Sequence, residues 1–135
     1  GAVPDVGGEC VQLYWDPSGI GFEAQFARGS RAVHLDTGSR RTYLFPTALS
    51  SLSAAEAAAR EPFERRLAGV GGERVEQAFR FPTITLKVGG RPWTFSPMEM
   101  APEDEEGESA RIGAPIMDRF ETVVLDFERM RMFVR

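Results

Sequence analysis

Gly and Pro together supply 23 of the 135 residues and recur at short intervals along the chain. Each interrupts regular structure, so little room is left for long helices, and many short strands are the fold that fits. Candidate strands are Cys10–Trp15, Gly21–Ala27, Ala32–Asp36, Thr42–Phe45, Glu73–Phe79, Thr83–Val88, Pro92–Ser96, Thr122–Asp126 and Met130–Val134. Alternation is clearest where Ile84, Leu86 and Val88 are separated by polar residues. Gly89-Gly90 then reads as a tight hairpin turn, and the last two strands pair around Phe127-Glu128-Arg129. Two short helices are expected. Ser53 and Glu56 have the spacing of a capping box ahead of Ala54–Arg60, with Pro62 as the stop. Pro115 suits the first turn of a second helix reaching Phe120. The expectation is a mainly β, mostly antiparallel domain with one or two short helices.

The net charge of −4 is concentrated in Glu103, Asp104, Glu105, Glu106 and Glu108, without which the balance would be +1. Such a run reads as a solvated loop. No basic stripe points to nucleic acid, and no apolar run is long enough to span a membrane. Cys10 is the only cysteine, which removes an internal disulfide and a Cys-based zinc site. His34 is the only histidine, so a Ser-His-Asp or Cys-His arrangement would have to use it. Nothing in the sequence calls for a metal or a cofactor. The opening Gly1-Ala2-Val3-Pro4-Asp5 lacks the order of a signal peptide and reads as a domain edge.

Asp36-Thr37-Gly38-Ser39 follows the apolar strand ending at Leu35 and precedes the apolar Tyr43-Leu44-Phe45. Alone it is weak, because Asp, Gly and Ser also close ordinary turns. In context it resembles the active-site turn of the pepsin and retropepsin superfamily of aspartic peptidases. Ala68-Gly69-Val70-Gly71-Gly72-Glu73 is similar to the glycine-rich flap of retroviral-type members, and Phe81–Gly90 to the strand and turn after it. Ile112–Phe127 resembles their late apolar-Gly turn, short helix and closing hairpin. The four segments occur in the family's order and span about residues 20–135.

The resemblance implies a closed or partly open barrel-like acid-protease lobe over residues 20–135, preceded by an N-terminal strand or edge segment over 1–19. It implies an aspartic endopeptidase in which Asp36 supplies one carboxylate. Thr37, Gly38 and Ser39 would support it, with the Ser39 hydroxyl on Asp36 and Thr37 interlocked with its counterpart across a dyad. Gly69, Val70, Gly71 and Gly72 would close over an extended peptide, and Ile112-Gly113 would form the late turn. Metal-free amide hydrolysis needs one carboxylate to deprotonate water and one neutral acid to protonate the carbonyl. This chain has a single Asp-Thr-Gly, so the second carboxylate would come from a homodimer mate or, as in some bacterial members, a tandem domain. The sequence leaves the compartment open, with export to the periplasm or envelope favoured if the source is bacterial. The substrate would be a peptide or protein, with Phe22, Phe26, Leu44 and Val70 as candidate pocket residues that serve equally as core. Two positions depart from the family pattern. Arg111 stands where an apolar residue is usual, with pairing to the acidic run as one outcome, and Ala114 follows the late glycine. These departures motivate the alternative of a non-catalytic peptide-binding or dimerisation domain.

Overall fold

A computed structural model describes residues 9–135, so the reading of Gly1–Asp5 as a domain edge lies outside the described residues. The strands are β1 (Glu9–Gln12), β2 (Tyr14–Asp16), β3 (Gly19–Phe26), β4 (Gly29–Asp36), β5 (Tyr43–Leu44), β6 (Glu61–Gly69) and β7 (Gly72–Phe81). They continue with β8 (Ile84–Val88), β9 (Arg91–Phe95), β10 (Met98–Met100), β11 (Ala110–Gly113), β12 (Val123–Asp126) and β13 (Arg131–Val134). The mainly β expectation holds, and the sheets do not close into a barrel. One sheet has the order β1-β13-β12; the larger runs β6-β7-β10-β5-β11-β4-β3-β8-β9, with β2 paired to β3.

The helical content exceeds the expected one or two. Helix α1 (Ala54–Ala58) and the 3₁₀ segment Ala114–Arg119 fall where the caps and Pro115 placed them. A further 3₁₀ segment, Pro46–Ser51, uses Pro46 in its first turn in the same way. The α1 capping box is complete: the Glu56 amide donates to Ser53 Oγ at 3.0 Å, and the Ser53 amide donates to Glu56 Oε1 at 2.9 Å. Ser53→Ala removes the hydroxyl that accepts the Glu56 amide and leaves the Glu56 side chain on the residue-53 amide. It is expected to cost about 1 kcal/mol, read as a lower urea midpoint at unchanged slope.

Three strands escaped the sequence reading. β10 has only three residues, too few for its Met98-Glu99-Met100 alternation to stand out, and in β6 Pro62 and two consecutive arginines mask the alternation of Phe63 and Leu67. β11 changes the topology most. It is parallel to β4 and antiparallel to β5, inserted between two strands that the loop 37–42 joins but that do not pair with each other. Ile112-Gly113, expected as a turn, is therefore the end of a strand whose partners lie some seventy residues earlier in sequence. That insertion is what builds the site, because it brings Gly113 beneath the loop after Asp36.

The core fills the space under these strands. Phe22, Val33, Phe81, Ile84, Leu86, Val88, Met98, Ala110 and Ile112 are completely buried. Alternation accounts for much of this, as in β8, where Ile84, Leu86 and Val88 point inward and Thr85 and Lys87 outward. The Gly89-Gly90 turn joins β8 to β9 with both glycines at positive φ, +58° and +82°, which a two-residue hairpin of this hand requires.

Candidate active site

β4 alternates Val33 and Leu35 into the core with His34 and Asp36 on the opposite face. Asp36 is the last residue of the strand, half-buried, where the chain turns through exposed Thr37 and Gly38. Its Oδ1 accepts the Gly38 amide at 3.1 Å, and its carbonyl accepts the Ser39 amide at 3.1 Å. The carboxylate is thus fixed from below by its own turn, and among the described residues no hydrogen bond reaches its second oxygen.

The register across the sheet is fixed by four pairs, Ala110 with Val33, Arg111 with His34, Ile112 with Leu35 and Gly113 with Asp36. The Gly113 amide donates to Thr42 Oγ1 at 3.0 Å, and the Ala114 amide donates to the Ser39 carbonyl at 2.7 Å. These bonds clamp both ends of the loop 37–42 to the end of β11. A Cβ on Gly113 would lie 2.5 Å from the Arg41 carbonyl oxygen and 2.6 Å from that of Ser39, so only glycine fits under the loop. Ala114, a departure from the family pattern, uses its backbone here, where side-chain identity matters little.

Ser39 does not take the place the resemblance gave it. Its Oγ accepts the Arg41 amide at 3.1 Å, and no bond joins it to Asp36. The hydroxyl satisfies its own loop, a local bond that serine readily makes at a turn.

Arg111 does not disturb the support of the turn. Ala110 and Ile112 fill the core on one face of β11, while the Arg111 side chain leaves on the other. There it forks onto Glu108, with Nε donating to Oε1 at 3.2 Å and Nη2 to Oε2 at 2.6 Å. The fork onto Glu108 raises the Arg111 pKa above its ordinary value, with smaller contributions from the charges of Tyr43 and Asp36. The acidic run is therefore not solvated throughout. Glu103 to Glu106 are exposed, whereas Glu108 is buried.

On the other side, Asp16 Oδ2 meets His34 Nε2 at 2.8 Å. Partial burial works to raise the Asp16 carboxyl pKa, but the His34 bond and the Ser18 and Gly19 amides outweigh it and hold it below 3.8. A depressed folded pKa contributes stability above the unfolded value, and that contribution is lost as pH falls through the folded one. The stability gap between wild type and Asp16→Ala, followed by urea unfolding, should therefore be full at about pH 6 and shrink once the pH drops below 3.8.

β6 and β7 form one hairpin paired from Glu61–Arg80 to Gly69–Gly72, with Val70 and Gly71 at its tip. Gly71 and Gly72 have φ of +106° and +108°, backbone that the turn could not reach with side chains there. Val70 is fully exposed at the tip, whereas Phe22, Phe26 and Leu44 are core. At the base of the hairpin, Glu99 Oε2 accepts Arg41 Nη2 at 2.9 Å and Arg65 Nη2 at 2.8 Å, linking the hairpin to the loop after Asp36. A cavity of about 280 Å³ lies alongside, lined by Arg41, Tyr43, Phe45, Arg65, Glu103 and Glu105 among others. Neither Glu99 nor this cavity was legible in the sequence, since both depend on β10 reaching β5.

The other conspicuous aspartates do structural work or none. Asp126 Oδ1 accepts the amides of Glu128 and Arg129 in the closing hairpin, and Asp118 is exposed. No helix among the described residues is long and apolar enough to cross a membrane.

No protein-family model matches the chain, and no curated protein does. Among solved structures, the crystal structure of a retropepsin-like aspartic protease from Rickettsia conorii is similar over 93% of this chain and 89% of that one. The TM-score is 0.58 and the sequence identity 12%. At that identity the likeness speaks for architecture, and the chain has a retropepsin-like fold.

Proposed function

We propose that this chain is one half of an aspartic endopeptidase, organised as a single retropepsin-like domain over residues 20–135. The observation that carries the reading is the seating of Asp36. It closes β4 opposite Gly113, with one carboxylate oxygen held by the Gly38 amide and the other unbonded among the described residues. A group that deprotonates water needs such an orientation, with an open oxygen toward the substrate. Two carboxyls about 3 Å apart share one proton, because both cannot ionise cheaply at that separation. The second comes from a homodimer mate or from a tandem domain of a longer protein. The β6–β7 hairpin, with Gly69, Val70, Gly71 and Gly72 at its tip, is the element that closes over an extended peptide and excludes water. Peptides or proteins are the substrates, and an exported bacterial enzyme is the setting that suits this reading.

The test is cleavage of an unstructured protein substrate across acidic and mildly acidic pH, with inhibition by a statine-type compound. Cleavage that survives Asp36→Asn sinks the proposal.

A second reading draws on Ser39, whose hydroxyl serves the Arg41 amide instead of Asp36. A domain that only grips peptides or pairs with another copy has no need to orient the carboxylate further. It predicts peptide binding indifferent to Asp36→Asn and no turnover at any pH.

A further inference from the structure

His34 and Glu108 take no part in the chemistry above, yet both are buried, at 1% and 2% exposure. His34 Nε2 bonds Asp16 Oδ2 at 2.8 Å. Its Nδ1 lies 3.2 Å from Glu108 Oε1, within ion-pair reach but off the line of a hydrogen bond. Glu108 in turn takes the two-point fork of Arg111. Asp16, His34, Glu108 and Arg111 thus form a continuous line across β2, β4 and β11. Around it stand the Tyr14 ring, edge-on to His34 at 6.2 Å, and Tyr43, opposite Arg111 on β5. Glu23 and Arg31 line a cavity shared with Glu108 and the rest of the acidic loop.

Burying a carboxylate is costly unless it is well paired, so the withdrawal of Glu108 from a run of exposed acids needs a reason. The register supplies one. Arg111 lies opposite His34 and Gly113 opposite Asp36, so Arg111 and Asp36 are diagonal neighbours, about 8 Å apart at the backbone from ordinary strand spacings. Arg111 has the reach to swing onto Asp36, and Glu108 is its ion-pair partner. A guanidinium on Asp36 would hold that carboxyl ionised and block the sharing of a proton with a second one.

We propose that Glu108, seated by His34 and Asp16, is a positioning residue of the Asp36 site that holds Arg111 away from the carboxyl and cancels its charge. The proposal rests on the aspartic-peptidase reading. Glu108→Gln keeps the shape and removes the counter-charge, leaving Arg111 free beside Asp36. Opposite charge favours the ionised carboxyl, so the working pH range moves down.

The experiment is the pH profile of kcat on the assembled protein for wild type, Glu108→Gln and Glu108→Gln/Arg111→Met. Both limbs of the Glu108→Gln profile are expected about one pH unit lower. The double variant is expected to return them to the wild-type position, since the freed cation is gone. A structural role alone would lower the profile without moving it, and removing Arg111 would not restore it. Limbs that stay in place in Glu108→Gln, or that fail to return in the double variant, overturn the proposal. Should Glu108→Gln not fold, Asp16→Asn loosens the same seat from its partly exposed end. A smaller shift in the same direction is then expected, and no shift overturns it. Absence of any wild-type cleavage would instead count against the peptidase reading. The charge line is then tested by the carbon-13 titration of the Asp36 carboxyl, whose midpoint should fall in Glu108→Gln and recover in the double variant.

Discussion

Replacing Asp36 with Asn is expected to remove peptide hydrolysis, by about 10³-fold or more, while leaving the fold in place. A positioned general acid or base contributes on the order of 10² to 10⁴ in rate, and Asp36 is the carboxylate that the turn after β4 holds, through the Gly38 amide. Asn retains the oxygen that accepts the Gly38 amide, and the residue is half-exposed, so little packing is lost. The stability change should stay within about 0.5 kcal/mol by urea unfolding, as for most substitutions away from a core. Hydrolysis of a fluorogenic peptide and the unfolding midpoint, measured on the same preparation, separate loss of chemistry from loss of structure. A variant that is both inactive and unfolded would not fit this account.

Gly113→Ala should have the largest effect on the scaffold. The added methyl meets the carbonyl oxygens of Arg41 and Ser39 and, at 3.0 Å, the Arg41 amide nitrogen, all of them backbone. Backbone cannot rotate out of the way, and the same loop is tied by the Ala114–Ser39 and Gly113–Thr42 bonds. Either the loop lifts off β11 or β11 slips in its slot between β4 and β5. Overpacking of this kind costs about 1–3 kcal/mol, or roughly 4–11 °C in Tm for a chain of this size. Activity is expected to fall further than stability alone explains, because the displaced loop begins at Asp36. A scanning calorimetry trace matching wild type would contradict the described fit.

What the sequence disclosed and what it hid have physical causes. Ile84, Leu86 and Val88 announced β8 because each residue's fate is set by its immediate neighbours on a pleat. The α1 capping box and the Gly89-Gly90 turn were legible for the same reason: both are closed by bonds within a few residues. Asp36 could be placed at a turn, but not what lies beneath that turn. The support comes from β11, whose four residues are too few for the alternation of Ala110 and Ile112 around Arg111 to announce a strand. Glu108 shows the limit most clearly. Within a run of acids it looks like its neighbours, and its burial follows from one ion pair with Arg111 and the approach of His34. The Ser39 hydroxyl was misplaced because two acceptable local bonds compete for it, and the sequence does not rank them.

In the proposed site Asp36 is one of two paired carboxylates. The most direct test of that pairing is a crystal structure of the assembled protein, either the homodimer or the longer chain, at a pH where it cleaves peptide. A second aspartate carboxyl is expected about 3 Å from that of Asp36, with the two turns facing each other across a twofold axis in the homodimer or a pseudo-twofold axis in the longer chain. An active assembly in which no second carboxyl comes within hydrogen-bonding reach of Asp36 would contradict the pairing.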